Sequence, residues 1–324
     1  MKHAAAGGLA PPFSKALGVA LLSAGLGACG GGGGGDGAPP SATGFTSAPA
    51  PAPRPAPAPP PAPTPAPPPA GPRVDPYAPV AGSEPQLLLS APQPGSTADA
   101  GNGSEGLYEE MFGYTFVSSS GELARTMLGG TLWGSVSVTG ANWSFNPDTQ
   151  YFFLKASPVT GSGTFSTRIS MDGSYSTDGG SPTAWGPLRY SSANALAVTQ
   201  DSVTGTWSNI GEKESIGLSI TVDATGYFSG RTAGSEIGVC ALTGAVGLYQ
   251  PNSAKNFYAL SLNATNAAAA GEKACQLDPA PYSGPAAIIF SPAGRFVANG
   301  YFRNLGLVVR TARAATLSAS LRKQ

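Results

Sequence analysis

Few of the 324 residues could carry out chemistry, and those few are poorly spaced for it. The only histidine is His3. Ser-His-Asp and Cys-His catalysis need an imidazole beside the nucleophile, and the usual zinc sites draw on imidazole as well. Glu109 and Glu110 are paired carboxylates, but adjacent residues on a strand point to opposite faces and cannot share a substrate. Asp172 and Asp178 flank a Gly/Ser-rich stretch that lacks the ligand density and closing glutamate of a calcium loop, so it reads as a turn. Gly161-Ser162-Gly163 lies between expected strands and opens no helix, as a phosphate cradle must. We therefore expect no catalytic residues, no metal and no cofactor.

The aromatic residues offer a binding surface instead. Trp133, Trp143, Trp185 and Trp207, with Tyr151, Phe152 and Phe153, could build a carbohydrate platform or line a ligand cavity. Aromatic side chains in a β-protein more often fill the core, and that is the preferred reading. Lys and Arg total 18 and so do Asp and Glu, so no net field attracts nucleic acid. Arg295, Arg303, Arg310, Arg313, Arg322 and Lys323 gather near the C-terminus. They could meet an anionic glycan or a lipid headgroup, although charges guarding strand edges explain them more simply.

The N-terminus has a layout of its own. Lys2 and Lys15 are basic, an apolar run extends from Ala16 to Leu26, and Leu26-Gly27-Ala28-Cys29 follows. About eleven apolar residues suit a signal peptide and fall short of a bilayer's thickness. Leu26-Gly27-Ala28-Cys29 resembles the lipobox of bacterial lipoproteins: an aliphatic residue, two small ones, then the cysteine whose thiol takes a diacylglycerol. The resemblance implies that residues 1–28 are a signal peptide and that Cys29 becomes the lipidated, palmitate-bearing first residue of the mature chain. His3 would leave with the leader. Two acyl chains already suffice for stable anchoring, at ~0.8 kcal/mol per buried methylene. In this family an aspartate after the cysteine favours retention at the inner membrane. Gly30 stands there, which implies the outer membrane and leaves both periplasmic and exterior faces open.

Residues 29–104 read as a disordered tether. Gly30 to Gly35 is an unbroken glycine run, and Ala48 to Pro72 is almost entirely alanine and proline. The second stretch favours polyproline II at about 3.1 Å per residue, a reach on the order of 75 Å.

Residues 105–324 read as an all-β domain, an antiparallel barrel or sandwich, large enough for one sizeable unit or two small ones. Gly, Ser, Thr, Tyr, Phe and Val are frequent and no long 3.6-residue periodicity interrupts them. Expected strands are Met111–Val117, Thr131–Thr139, Tyr151–Lys155, Gly163–Ser170, Ala195–Thr199, Ser202–Ser208, Ser215–Val222 and Gly226–Ser229. Val239–Tyr249, Asn256–Asn263, Ala286–Phe290, Phe296–Phe302, Leu305–Arg310 and Thr316–Arg322 complete the set. The alternation in Ser215–Val222 places every aliphatic on one face, and Tyr258, Leu260 and Leu262 share a face opposite Phe257, Ala259 and Ser261.

Gly226-Tyr227-Phe228-Ser229-Gly230, Cys240-Ala241-Leu242-Thr243-Gly244 and Asn256 to Leu262, then Cys275 and Tyr282 to Ala287, form a repeated hairpin pattern. It resembles the C-terminal part of uncharacterised β-rich lipoproteins of proteobacteria, which implies architecture and no activity. In an exported, oxidising compartment Cys240 and Cys275 are an even pair, expected to form a disulfide.

Together these features predict a membrane-anchored envelope lipoprotein with a non-enzymatic β-domain for ligand binding or envelope support. Its expected partners are the membrane, through Cys29, and a small apolar or glycan ligand. A surface-displayed adhesin or interaction module is the alternative. A glycan hydrolase would need two carboxylates about 5–9.5 Å apart in a cleft.

Overall fold

A computed structural model describes residues 75–324 except 111–112, 128–129, 154 and 212–215; the leader, Cys29 and the Ala/Pro tract lie outside the described residues. A short helix, α1 (Thr97–Ala100), precedes the strands. The first strands are β1 (Gly106–Glu110), β2 (Gly113–Val117), β3 (Glu122–Met127), β4 (Gly130–Thr139), β5 (Asn142–Phe145), β6 (Gln150–Phe152), β7 (Ala156–Ser166), β8 (Ser170–Thr177) and β9 (Thr183–Tyr190). After them come β10 (Gly205–Ser208), β11 (Gly217–Val222), β12 (Tyr227–Ala233), β13 (Cys240–Leu248), β14 (Tyr258–Asn266), β15 (Tyr282–Pro292), β16 (Tyr301–Thr311) and β17 (Thr316–Lys323). No helix among the described residues is long and apolar enough to cross a membrane.

The strands form two antiparallel eight-stranded barrels, so the expected all-β domain of 105–324 is a tandem. In the first, each strand pairs with its chain neighbour except at one place. There β5 and β6 lie end to end between β4 and β7: β5 pairs with 136–139 of β4 and β6 with 131–133. Asn146-Pro147-Asp148 lies between β5 and β6 and interrupts this strand without reversing it. The insertion rests on β4 at Gly134 (φ +150°), where a Cβ would fall 2.3 Å from the Thr149 Cα. The second barrel is a simple meander from β10 to β17. Each closure is short: Tyr108↔Tyr190 and Glu109↔Arg189 in the first, Trp207↔Lys323 and Ser208↔Arg322 in the second.

Strand alternation fills both interiors, as small barrels require. In the second barrel Leu218, Ile220 and Val222 point inward with Tyr258, Leu260, Leu262 and Ala264, as the alternation predicts. Leu305, Leu307 and Val309 join them from β16. Each fully buried aliphatic of this size contributes about 1.5–3 kcal/mol. The first barrel packs Trp143, Trp185, Tyr108, Tyr190, Met171 and Leu188 around its axis. Three tryptophans, Trp143, Trp185 and Trp207, are thus core residues, whereas Phe153 is 65% exposed.

The outward faces of the barrels meet each other. Leu107, Phe116, Ala124, Trp133 and Phe152 of the first pack on Phe257, Ala287, Ile289 and Val308 of the second. Strand β15 is therefore buried on both faces from Ala286 to Ile289. The connection between the barrels is fastened by two asparagines. Asn194 accepts from Leu107 N and donates to Leu107 O, taking the place of a strand partner beside Gly106. Asn256 donates to Ala193 O and Ile288 O and accepts from Ile288 N.

Several expectations need correction. The tether expected over 29–104 does not extend through 75–104, which is ordered against the barrels. Glu84 and Tyr301 exchange backbone hydrogen bonds, and Leu87 and Leu89 pack on the second and first cores respectively. The loop-like composition conceals this because scattered single residues make the attachments. Ala195–Thr199 is not a strand but part of the inter-barrel connection, and Phe296–Phe302 contains a 3-10 turn (Val297–Asn299) closed by Gly300 at φ +82°. Conversely, β1, β3, β5 and β9 have no counterpart in the expected set, and β8 meets it only at Ser170. Strand β3 turns Arg125 inward and so breaks the apolar alternation, and β9 contains Gly186-Pro187.

Candidate functional site

The second barrel holds one expected covalent feature. Cys240 opens β13, and Cys275 lies in the long connection from β14 to β15; their sulfurs are bonded at 2.08 Å. The bond joins a buried strand residue to an excursion otherwise held by Val239↔Ala274 and by Gln276 N donating to Ile237 O. It is structural by position, since Cys240 is fully buried. The other singled-out cysteine, Cys29, lies outside the described residues.

The carboxylates also take up places in the fold. Glu109 and Glu110 point to opposite sides of β1, as expected. Glu110 enters the first barrel and pairs with Arg125 through Oε2 at 2.6 Å and Oε1 at 3.1 Å. Glu109 faces out and accepts from the Ser191 hydroxyl; burial raises its carboxyl above the usual range, opposed by that hydrogen bond. Asp178 sits in the β8–β9 turn at φ +50°, next to Gly179 at +70°, while Asp172 lies within β8. No group of three or more His, Cys, Asp or Glu gathers among the described residues.

Buried polar atoms without protein partners occur at several places among the described residues, and two of these places bear on a site. One is inside the first barrel, where Arg125 Nη1, Trp185 Nε1 and Thr115 Oγ1 are buried and unbonded. Arg125 stacks over the Trp185 ring at 3.9 Å, and the Arg125–Glu110 pair neutralises its charge. The other is between the barrels, and it is open.

This second place is a cleft of about 490 Å³. It exists because the facing surface of β14 and β15 carries small residues, Ala259, Ser283 and Gly284, opposite the large Trp133. Gly284 is required for the fit: a Cβ there would meet the Trp133 ring at 2.7 Å and the Val308 carbonyl at 2.1 Å. Trp133 is 8% exposed, and its Nε1 is buried without an acceptor, whereas Trp143 and Trp207 donate to Asp172 O and Val203 O.

The cleft is polar at both ends, with opposite sign. At one end Tyr249 donates to Glu122, and Asp148 accepts from Ser135 Oγ at 2.7 Å. Ser135 is the cross-strand partner of Glu122, so the two carboxylates flank one serine. At the other end Arg310 lies over Trp133 at 4.9 Å and Phe152 at 5.1 Å. Beyond it the cleft continues into a second hollow of about 700 Å³ that shares Ser283 and Arg310 and reaches Arg313.

Of the expected aromatic set, only Trp133 lines the main cleft, and Phe152 lines its extension. Sequence reasoning missed Tyr249, Glu122 and Asp148 as site residues; no motif marks them, because two barrels must dock before they converge. The C-terminal cations disperse. Arg303 pairs with Glu84, Arg322 stacks on Phe302 at 3.6 Å, and Arg310 alone of the six lines the main cleft. No protein-family model, no curated protein and no solved structure matches this chain.

Proposed function

We propose that this chain is a lipid-anchored envelope protein whose two-barrel body binds a ligand in the cleft between the barrels and catalyses no reaction on it. The observation that carries the binding reading is the cleft itself: a polar-ended space walled by Trp133 and Tyr249, with Arg310 over the Trp133 ring at 4.9 Å. Anchoring rests on the likeness of Leu26-Gly27-Ala28-Cys29 to a lipobox. Metabolic labelling with palmitate tests the anchor. Label should enter the wild-type protein and be lost in Cys29→Ser; equal labelling of both would overturn it. Protease shaving of intact cells then assigns the face, with loss of the body placing it outside and survival placing it in the periplasm.

A carboxylate-based glycan hydrolase is the second reading, because Glu122 and Asp148 share the cleft. Both are exposed, whereas the acid of a glycosidase is withdrawn from water. Ligand turnover abolished by Glu122→Gln or Asp148→Asn would favour this reading over simple binding.

A further inference from the structure

Four cations among the described residues are wholly or partly withdrawn from solvent: Arg125, Lys255, Arg303 and Arg310. Three have a carboxylate. Arg125 pairs with Glu110, Lys255 with Glu105 at 2.5 Å and Arg303 with Glu84 at 2.6 Å. Arg310 has aromatic rings alone beneath it. Burial lowers its guanidinium below the usual range, with no acid offsetting that cost. A half-buried guanidinium without an anion, stacked on Trp133 and Phe152 and opening on the cleft, is an incomplete recognition site for an acceptor of negative charge.

The opposite end limits what else the ligand carries. Glu122 and Asp148 repel a second anion and accept hydrogen bonds, so the far part of the ligand must be neutral and rich in donors. The floor is small and partly hydroxylated (Ala259, Ser283), and Tyr249 offers a half-buried ring. An extended peptide has no obvious mode of entry here, because both barrels are closed and offer no strand edge for main-chain pairing.

From this asymmetry we infer that the cleft takes a saccharide with one carboxylate, the carboxylate on Arg310 and the hydroxyls toward Glu122 and Asp148. The inference rests on the cleft being a binding site, and the test separates the two. Full-length mature protein is titrated calorimetrically with 3′-sialyllactose and with a glucuronyl disaccharide, each against its methyl ester. These arms also distinguish a sialic acid from a uronic acid. The expected result is binding of at least one acid, weakened about tenfold or more both by esterification and by Arg310→Gln. Arg310→Lys should recover part of the affinity, and Arg313→Gln should change it less than about threefold. The ester comparison uses wild-type protein, so it stands even if a variant folds poorly. Acid and ester binding equally, with binding lost in Ala259→Trp, would overturn the carboxylate assignment and leave the cleft as a binding site. No binding of any of the four ligands, or binding indifferent to Ala259→Trp, would overturn both.

Discussion

The two barrels share a topology and are filled by different chemistry. The second is lined almost entirely by aliphatic side chains with Trp207, Tyr258 and Tyr282, and a disulfide ties its longest excursion to β13. The first encloses an ion pair, stacks Arg125 on Trp185, and leaves three buried polar atoms unbonded. An eight-stranded barrel evidently constrains how much its interior must hold more than what the interior is made of. The aliphatic barrel gains from burial directly. The polar one depends on charges remaining matched, since an unpartnered buried charge costs more than the pair contributes.

That contrast can be broken from either side. The largest effect should come from the second barrel's disulfide. Cys240 and Cys275 are 35 residues apart, and replacing both by serine should cost about 3–4 kcal/mol on the chain-entropy model. Denaturant unfolding of the oxidised protein and the double variant measures this, and a loss below about 1 kcal/mol would refute it. In the first barrel, Arg125→Leu leaves the Glu110 carboxylate inside without its cation and should cost about 3 kcal/mol. Adding Glu110→Leu should return most of that loss. If the double variant is no more stable than the single one, charge matching is not what the first barrel requires.

The smallest expected effect sharpens the comparison by pH. Burial raises the Glu109 carboxyl above its unfolded value. Its contribution to stability is therefore present at low pH, below the usual carboxylate range, and is lost as pH rises through the folded-state value. Glu109→Gln, which cannot ionise, should melt about 1–2 °C higher at pH 7 and be indistinguishable from wild type near pH 4. The opposite sign would show that the Ser191 hydrogen bond outweighs burial.

Much of the second barrel was legible in the sequence, and less of the first. Ser215–Val222 and Asn256–Asn263 alternate cleanly because one of their faces meets an aliphatic core. Ala286–Phe290 and Leu305–Arg310 read as continuous apolar runs for a physical reason. Those strands are buried on one side by the barrel interior and on the other by the neighbouring barrel. In the first barrel the same alternation places Arg125 and Glu110 inside, so a hydrophobicity pattern passes over β3. The cleft was not legible at all. Trp133 was in the candidate aromatic set, but nothing local distinguishes it from the three core tryptophans. What does so is Gly284, about 150 positions later in the chain, whose missing side chain makes room for its ring.

The short seams at β1–β9 and β10–β17 bear on how the chain acquires its structure. Every other neighbouring pair in the second barrel is also consecutive in sequence, so its hairpins can assemble one after another with little loop-closure entropy at each step. Only the last pairing spans the whole unit, and it is made by two residue pairs, Trp207↔Lys323 and Ser208↔Arg322. A polypeptide threaded unfolded through a membrane from its N-terminus would thus build seven strands progressively and wait for its final residues before closing. Fluctuations of the finished protein should begin at the same place: amides of β10 and β17 should exchange with solvent sooner than those of β13 and β14.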